Sequence, residues 1–260
     1  MTKLISAVLL ILPIAFVPRA TVPCESKLPE APSKFACDVT LHVVLHELGH
    51  ALVREFDLPI LGNEETLADA FATHFVIHHL PKRAKDVVFA RVRSLMVEAA
   101  EVPRKEWTVE GEHNNDARRA HQIVSLAIAA DAEVYTPLAK EIGMTENAID
   151  NAKDYGTEIH RSWRRTLRPL MMPEGSQSKE ARLACDPDSV MGSTINEGPL
   201  GRDIQKSLKS FDWHSQVKVF FSQGDGSAGW NRSRRTVTVK DGYVERFVKQ
   251  GKKLASESKR

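Results

Sequence analysis

The chain has 260 residues, enough to bury a substantial core, and its 42% hydrophobic and 27% charged residues exclude a disordered polymer. A formal net charge of +2 is close to balance and removes any general argument for a nucleic-acid partner. Only from Arg232 onward do Lys and Arg clearly outnumber Asp and Glu, and this basic tail reads as a solvated end or as a contact for an anionic surface.

Residues 1–20 read as an export signal. Lys3 supplies a positive start, and Leu4 to Val17 form an apolar stretch too short to span a bilayer comfortably. Pro18-Arg19-Ala20 is a poor match to a small-x-small cleavage site, so an uncleaved N-terminal anchor is the second reading. Either way the expected compartment is periplasmic or extracellular. Residues 21–36, with Pro23, Pro29 and Pro32 and no apolar period, form an extended lead-in.

A helical region is expected over 37–210. Asp38 reads as the N-cap of a buried helix marked by Val39, Leu41, Val44, Leu45, Leu48, Ala51, Leu52 and Phe56. Pro59 and Gly62 end it, and Asn63 caps a second helix that opens with Glu64 and Glu65 and stops before Pro81. A third helix is bounded by Pro81 and Pro103, a fourth runs from about Asn115 through Asp131, and a long polar-faced one spans Thr145 to Leu167. Pro173-Glu174-Gly175 marks a loop. Over 211–260 the pattern changes: Gln216 to Phe221 and Arg234 to Val239 are short β-prone runs around a glycine-rich segment, read as a hairpin or two edge strands before the basic tail. The fold class is therefore mainly α, an α+β chain with a small C-terminal β element.

His46-Glu47-Leu48-Gly49-His50 lies on the first of these helices. The H-E-x-x-H spacing puts two imidazoles one turn apart on one face, where both reach a single ion. Glu47 beside them is placed to take a proton from a water activated by that ion, as peptide hydrolysis requires. A catalytic zinc takes a third protein ligand. Glu65 is the first candidate, because the Pro59–Gly62 turn lets the second helix fold back antiparallel; Glu64 and Asp69 are its rivals. Asp69, one turn beyond Glu65, can hold the second nitrogen of a zinc-bound histidine.

Several segments carry a resemblance. His46 to Leu52, Asp57-Leu58-Pro59-Ile60-Leu61-Gly62, Glu64-Glu65 and Ala68 to Ala72 are similar to a bacterial family described as putative metallopeptidases of unknown function. Glu112-His113 with Asp116 and Arg118-Arg119 resembles that family's E-H-x-x-D-x-x-R segment. Glu65-x-x-x-Asp69 resembles the E-x-x-x-D arrangement of gluzincin peptidases, and Glu65 to Ala72 also looks like the corresponding helix of ImmA/IrrE-type peptidases. The likeness covers roughly residues 37–170 and implies a gluzincin-like site, with no substrate attached to it. In that family a strand-bearing segment precedes the zinc helix, whereas here the C-terminal β element, with its Ala-Gly-Trp run, is the segment expected to stand beside the cleft and align a peptide by β-addition.

His113 is read as a donor to the oxyanion of the reaction, oriented by Glu112 and Asp116; the latter two read equally as caps of the fourth helix. His74, His78 and His79 read as surface or packing residues. Of Cys24, Cys37 and Cys185, the last two are the expected disulfide, with small buried thiols as the competing reading. A non-catalytic zinc-binding or interaction protein with the same helix pair is the second functional reading, and a membrane-tethered helical domain is the third.

Overall fold

The computed structural model describes residues 33–60, 62–102 and 115–258. Its first helix, α1 (Lys34–Glu55), has apolar residues on every side, and Val39, Leu41, Val44, Leu45, Leu48, Ala51 and Leu52 are all buried. A helix with no polar face belongs inside the molecule. The cap is Ser33, whose hydroxyl accepts from the Ala36 N–H, so the expectation of Asp38 as the cap is corrected. Asp38 is instead buried within α1, where its carboxylate accepts from Lys34 at 2.7 Å and Arg83 at 2.6 Å. Those two cations offset the cost of burying the acid.

Asn63 caps α2 (Glu64–His79) through the Thr66 N–H, and the helix ends at Leu80 just before Pro81 opens α3 (Pro81–Glu101). α4 (Asp116–Ala130) and α6 (Glu146–Leu167) start at the expected bounds, where Asn115 and Thr145 are the caps; the expectation of Asp116 as a cap is corrected, since it is the first residue inside α4. Between them Asp131 caps α5 (Ala132–Glu141), a helix the sequence reading does not contain. Two apolar clusters result. One gathers α1 and α2 with the C-terminal half of the chain, and the other gathers α3 to α6.

The C-terminal half departs most from expectation. β1 (Ala181–Cys185) is followed by α7 (Gly192–Asn196), α8 (Pro199–Leu208), β2 (Val217–Ser222), β3 (Ala228–Asn231) and β4 (Thr236–Lys240). The strands form one sheet in the order β1-β2-β4-β3. The two predicted β runs, β2 and β4, pair in parallel and are not the two arms of a hairpin. The hairpin is β3 with β4, Trp230 facing Val237, and β3 comes from the glycine-rich segment that separates the two runs. The basic tail is also corrected: it is α9 (Asp241–Glu257), whose Val244 and Phe247 are buried in the same cluster as α1 while its lysines face out. An amphipathic helix hides one apolar stripe and leaves its charges in water. Among the described residues no helix is long and apolar enough to cross a membrane.

No disulfide joins Cys37 to Cys185 among the described residues. Cys37 sits beside Asp38 and Arg83, Cys185 beside Ser189, and burial pushes both thiols up. Cys24 lies outside the described residues.

Candidate metal centre

His46 and His50 project from α1 toward the first turn of α2. Their Nε2 atoms stand 3.2 Å apart, and each is 3.2 Å from a different oxygen of the Glu65 carboxylate. The helices approach this closely because Gly49 lies at the crossing. A Cβ placed on it would stand 3.0 Å from the Ala68 Cα.

The opposite edge of each imidazole is held by a carboxylate. His46 Nδ1 is 2.8 Å from Asp69 Oδ1, and His50 Nδ1 is 2.8 Å from Glu64 Oε1. With both Nδ1–H groups donating outward, both Nε2 lone pairs point at the Glu65 carboxylate and at each other. Two facing lone pairs repel unless a proton or a cation lies between them. Four ligands on an ion at bond lengths of about 2.0–2.1 Å in a tetrahedron stand about 3.3 Å apart, close to the spacing seen here. The donor set therefore fits a divalent ion. Holding the second ring nitrogen with a carboxylate is also how metal-bound histidines are oriented.

The carboxylates are themselves anchored. Buried Asp69 accepts twice from Arg119, at 2.7 and 2.9 Å, and Glu64 accepts from Arg54 at 3.0 Å. Burial opposes ionisation of Asp69, but His46 and Arg119 outweigh it and hold its carboxyl well below the usual range. Burial likewise opposes charge on Glu65, and hydrogen bonds with His46 and His50 reverse the effect, so its carboxyl is also lowered. His50 shows the other side of the coupling: burial disfavours its cation, yet the Glu65 and Glu64 carboxylates raise it to about 9. His46 is raised in the same manner, mainly by Asp69 against the effect of burial.

The centre opens into a cleft of about 490 Å³ lined on one side by His46, Glu47 and His50 and on the other by Ala228, Gly229 and Trp230 of β3. The C-terminal β element does stand beside the metal helix. A family model described as "Putative metallopeptidase" matches residues 20–167, more than half of the chain. The chain belongs to that family. No curated protein and no solved structure matches the chain.

Glu65, the first-choice third ligand, is thus the carboxylate that meets both histidines, while its rivals Glu64 and Asp69 take the outer nitrogens. Asp116, expected to orient His113, opens α4 with its carboxylate 3.9 Å from Arg119; burial raises its carboxyl. Glu112 and His113 lie outside the described residues. The sequence reading assigned no role to Arg119 or Arg54. Arg119 was present in it as the last residue of the D-x-x-R segment, whereas Arg54 carried no local signal beyond standing one turn past His50.

Proposed function

We propose that this metallopeptidase is a zinc enzyme that hydrolyses peptide bonds at the His46–His50–Glu65 site. The observation that carries the reading is the 3.2 Å convergence of the two Nε2 atoms and the Glu65 carboxylate on the wall of a cleft that also contains Glu47. Two imidazoles and one carboxylate suit zinc better than magnesium or calcium, which favour all-oxygen shells. When bound, the ion lowers the pKa of a water and polarises the substrate carbonyl.

The protein's own groups supply the rest. Glu47 takes the proton of the attacking water and delivers it to the departing amine. Asp69 and Glu64 fix the two imidazoles so that their Nε2 lone pairs stay aimed at one point. β3 is an edge strand of the sheet, so its free main-chain groups are available to pair with an extended peptide lying across the cleft. We place the reaction outside the cytoplasm on the strength of the apolar first twenty residues, which fractionation of cells expressing the tagged full chain would check.

Glu47→Gln is the deciding experiment. The variant keeps its zinc, measured by elemental analysis, and cleaves a broad peptide library at least about 100-fold more slowly than the native chain. Equal cleavage by the two forms overturns the role of Glu47. Zinc retention with no cleavage by either form assigns the site to metal binding alone, the second functional reading.

A further inference from the structure

Helix α2 carries a second pair of histidines at the spacing of His46 and His50. His74 and His78 stand four residues apart, one turn along the same face. Facing them from α6 is His160. Its Nδ1 is 2.9 Å from His74 Nδ1 and 3.3 Å from His78 Nε2. The ligand atoms of the three rings all lie within 4.8 Å of one another.

The tautomer of His160 follows from its other edge. Nε2 lies 2.8 Å from the Leu126 carbonyl oxygen, which only accepts, so Nε2 carries the hydrogen and Nδ1 carries the lone pair. One in-plane lone pair accepts one N–H in line. Two ring nitrogens approach it, so a hydrogen-bonded histidine cluster satisfies one approach and leaves the other without a match. A cation at the common point satisfies all three nitrogens at once. The Leu126 contact is also the arrangement in which metal-bound histidines are usually held.

We propose that His74, His78 and His160 form a second metal site, distinct from the peptidase centre, that binds a zinc-class divalent ion through three imidazoles and ties α6 to α2. The two sites share no wall: His74 and His78 line a separate cavity of about 420 Å³ with Arg164, Met171, Met172 and Glu174, which leaves room for a fourth ligand. Along α2, His74 lies nine residues beyond Glu65, a rise of about 13 Å. An ion here braces the helix that presents Glu65 and Asp69 without touching substrate. The inference does not depend on peptide cleavage.

Elemental analysis of the full chain, dialysed against dilute zinc, tests it. The native chain holds about two zinc ions, and the His46→Gln/His50→Gln chain holds about one. His78→Ala and His160→Gln each lose about one ion; His78 is exposed, and glutamine keeps a donor for the Leu126 carbonyl. Cobalt loaded into the His46→Gln/His50→Gln chain gives the intense visible absorption of a tetrahedral ion, and that absorption vanishes when His78→Ala is added. A native chain with a single zinc that His78→Ala and His160→Gln leave in place overturns the proposal. So does a folded His46→Gln/His50→Gln chain, by circular dichroism, that binds neither zinc nor cobalt.

Discussion

Asp69 and Glu64 perform the same service for different imidazoles in different surroundings, and the contrast yields a rank order. The Asp69 side chain is 3% exposed and lies between His46 and Arg119, while the Glu64 side chain is 22% exposed and its partner Arg54 reaches solvent. Asp69→Asn replaces a doubly engaged carboxylate with a neutral amide and leaves the Arg119 guanidinium buried without its counter-charge. Breaking a buried pair from one side costs about 3–5 kcal/mol, and loss of a ligand's outer partner weakens metal binding about 10–100-fold. Glu64→Gln, closer to water, is expected to cost less on both counts. Denaturant midpoints and zinc competition with a chromophoric chelator measure the two effects, and an equal or reversed ranking would refute the argument from burial. At this scale the candidate ligands and the nearby Asp69 are more legible in the sequence than the distant support, Arg119. His46, His50, Glu65 and Asp69 are tied by helical spacing within two adjacent segments, so local periodicity exposes them. Choosing Glu65 over Glu64 is a matter of about 100° around α2 and depends on where that helix packs. Arg119 arrives from fifty residues further on, a pairing that only the tertiary fold creates.

Between elements the decisive spacing is that of α1 and α2. Gly49 permits it, since an added Cβ would meet the Ala68 backbone at 3.0 Å and the Phe71 ring at 3.2 Å. Gly49→Ala mixes two effects, because alanine gains about 1 kcal/mol in a helix interior while crowding the crossing. Gly49→Val removes that compensation and adds bulk, so it is expected to lose about 1–3 kcal/mol of stability and to push Glu65 away from the two imidazoles. The zinc dissociation constant should then rise while that of Gly49→Ala moves less; unchanged zinc affinity in the valine variant would show that the crossing has slack. Helix starts were legible at Asn63, Asn115 and Thr145, where the pattern changes, although only Asn63 reads there as a cap. α1 misled because Asp38 has the chemistry of a cap but spends it on Lys34 and Arg83. α5 escaped because Pro137 sits inside it, and β3 because Gly229 and its glycine neighbours read as a loop. Parallel pairing of β2 with β4 has no local signal, since it depends on β3 leaving and returning on the outer side of β4.

On the scale of the whole molecule, α1 is the axis on which both halves of the chain are assembled. α2 and α3 cover one side, and α8, α9 and the sheet cover the other, so the segment that carries the two candidate histidine ligands is also the centre of the larger core. Such a centre should be sensitive to acid through a residue that takes no part in the chemistry. His42 is wholly buried in α1, its Nε2 3.2 Å from Thr73 Oγ1, and Nδ1 has no hydrogen-bond partner among the described residues. Burial holds it down to about 3 against an ordinary value of 6.5, with nearby Asp69 opposing only in part. The unfolded chain therefore takes up a proton that the folded chain refuses. The stability due to neutral His42 is complete above about pH 6.5 and is lost as the pH falls from there toward 3, at up to about 1.4 kcal/mol per pH unit. His46 and His50, raised by their carboxylates, act with the opposite sign in the metal-free protein, so the total slope alone does not isolate His42. The difference between the native chain and His42→Leu does, because the other groups are common to both. In chelator-treated protein the leucine variant is expected to lose less stability than the native chain between pH 7 and pH 4, a gap that widens as the pH drops. Denaturant midpoints that stay parallel over that range would mean that the folded core admits the proton and that α1 is not sealed from water.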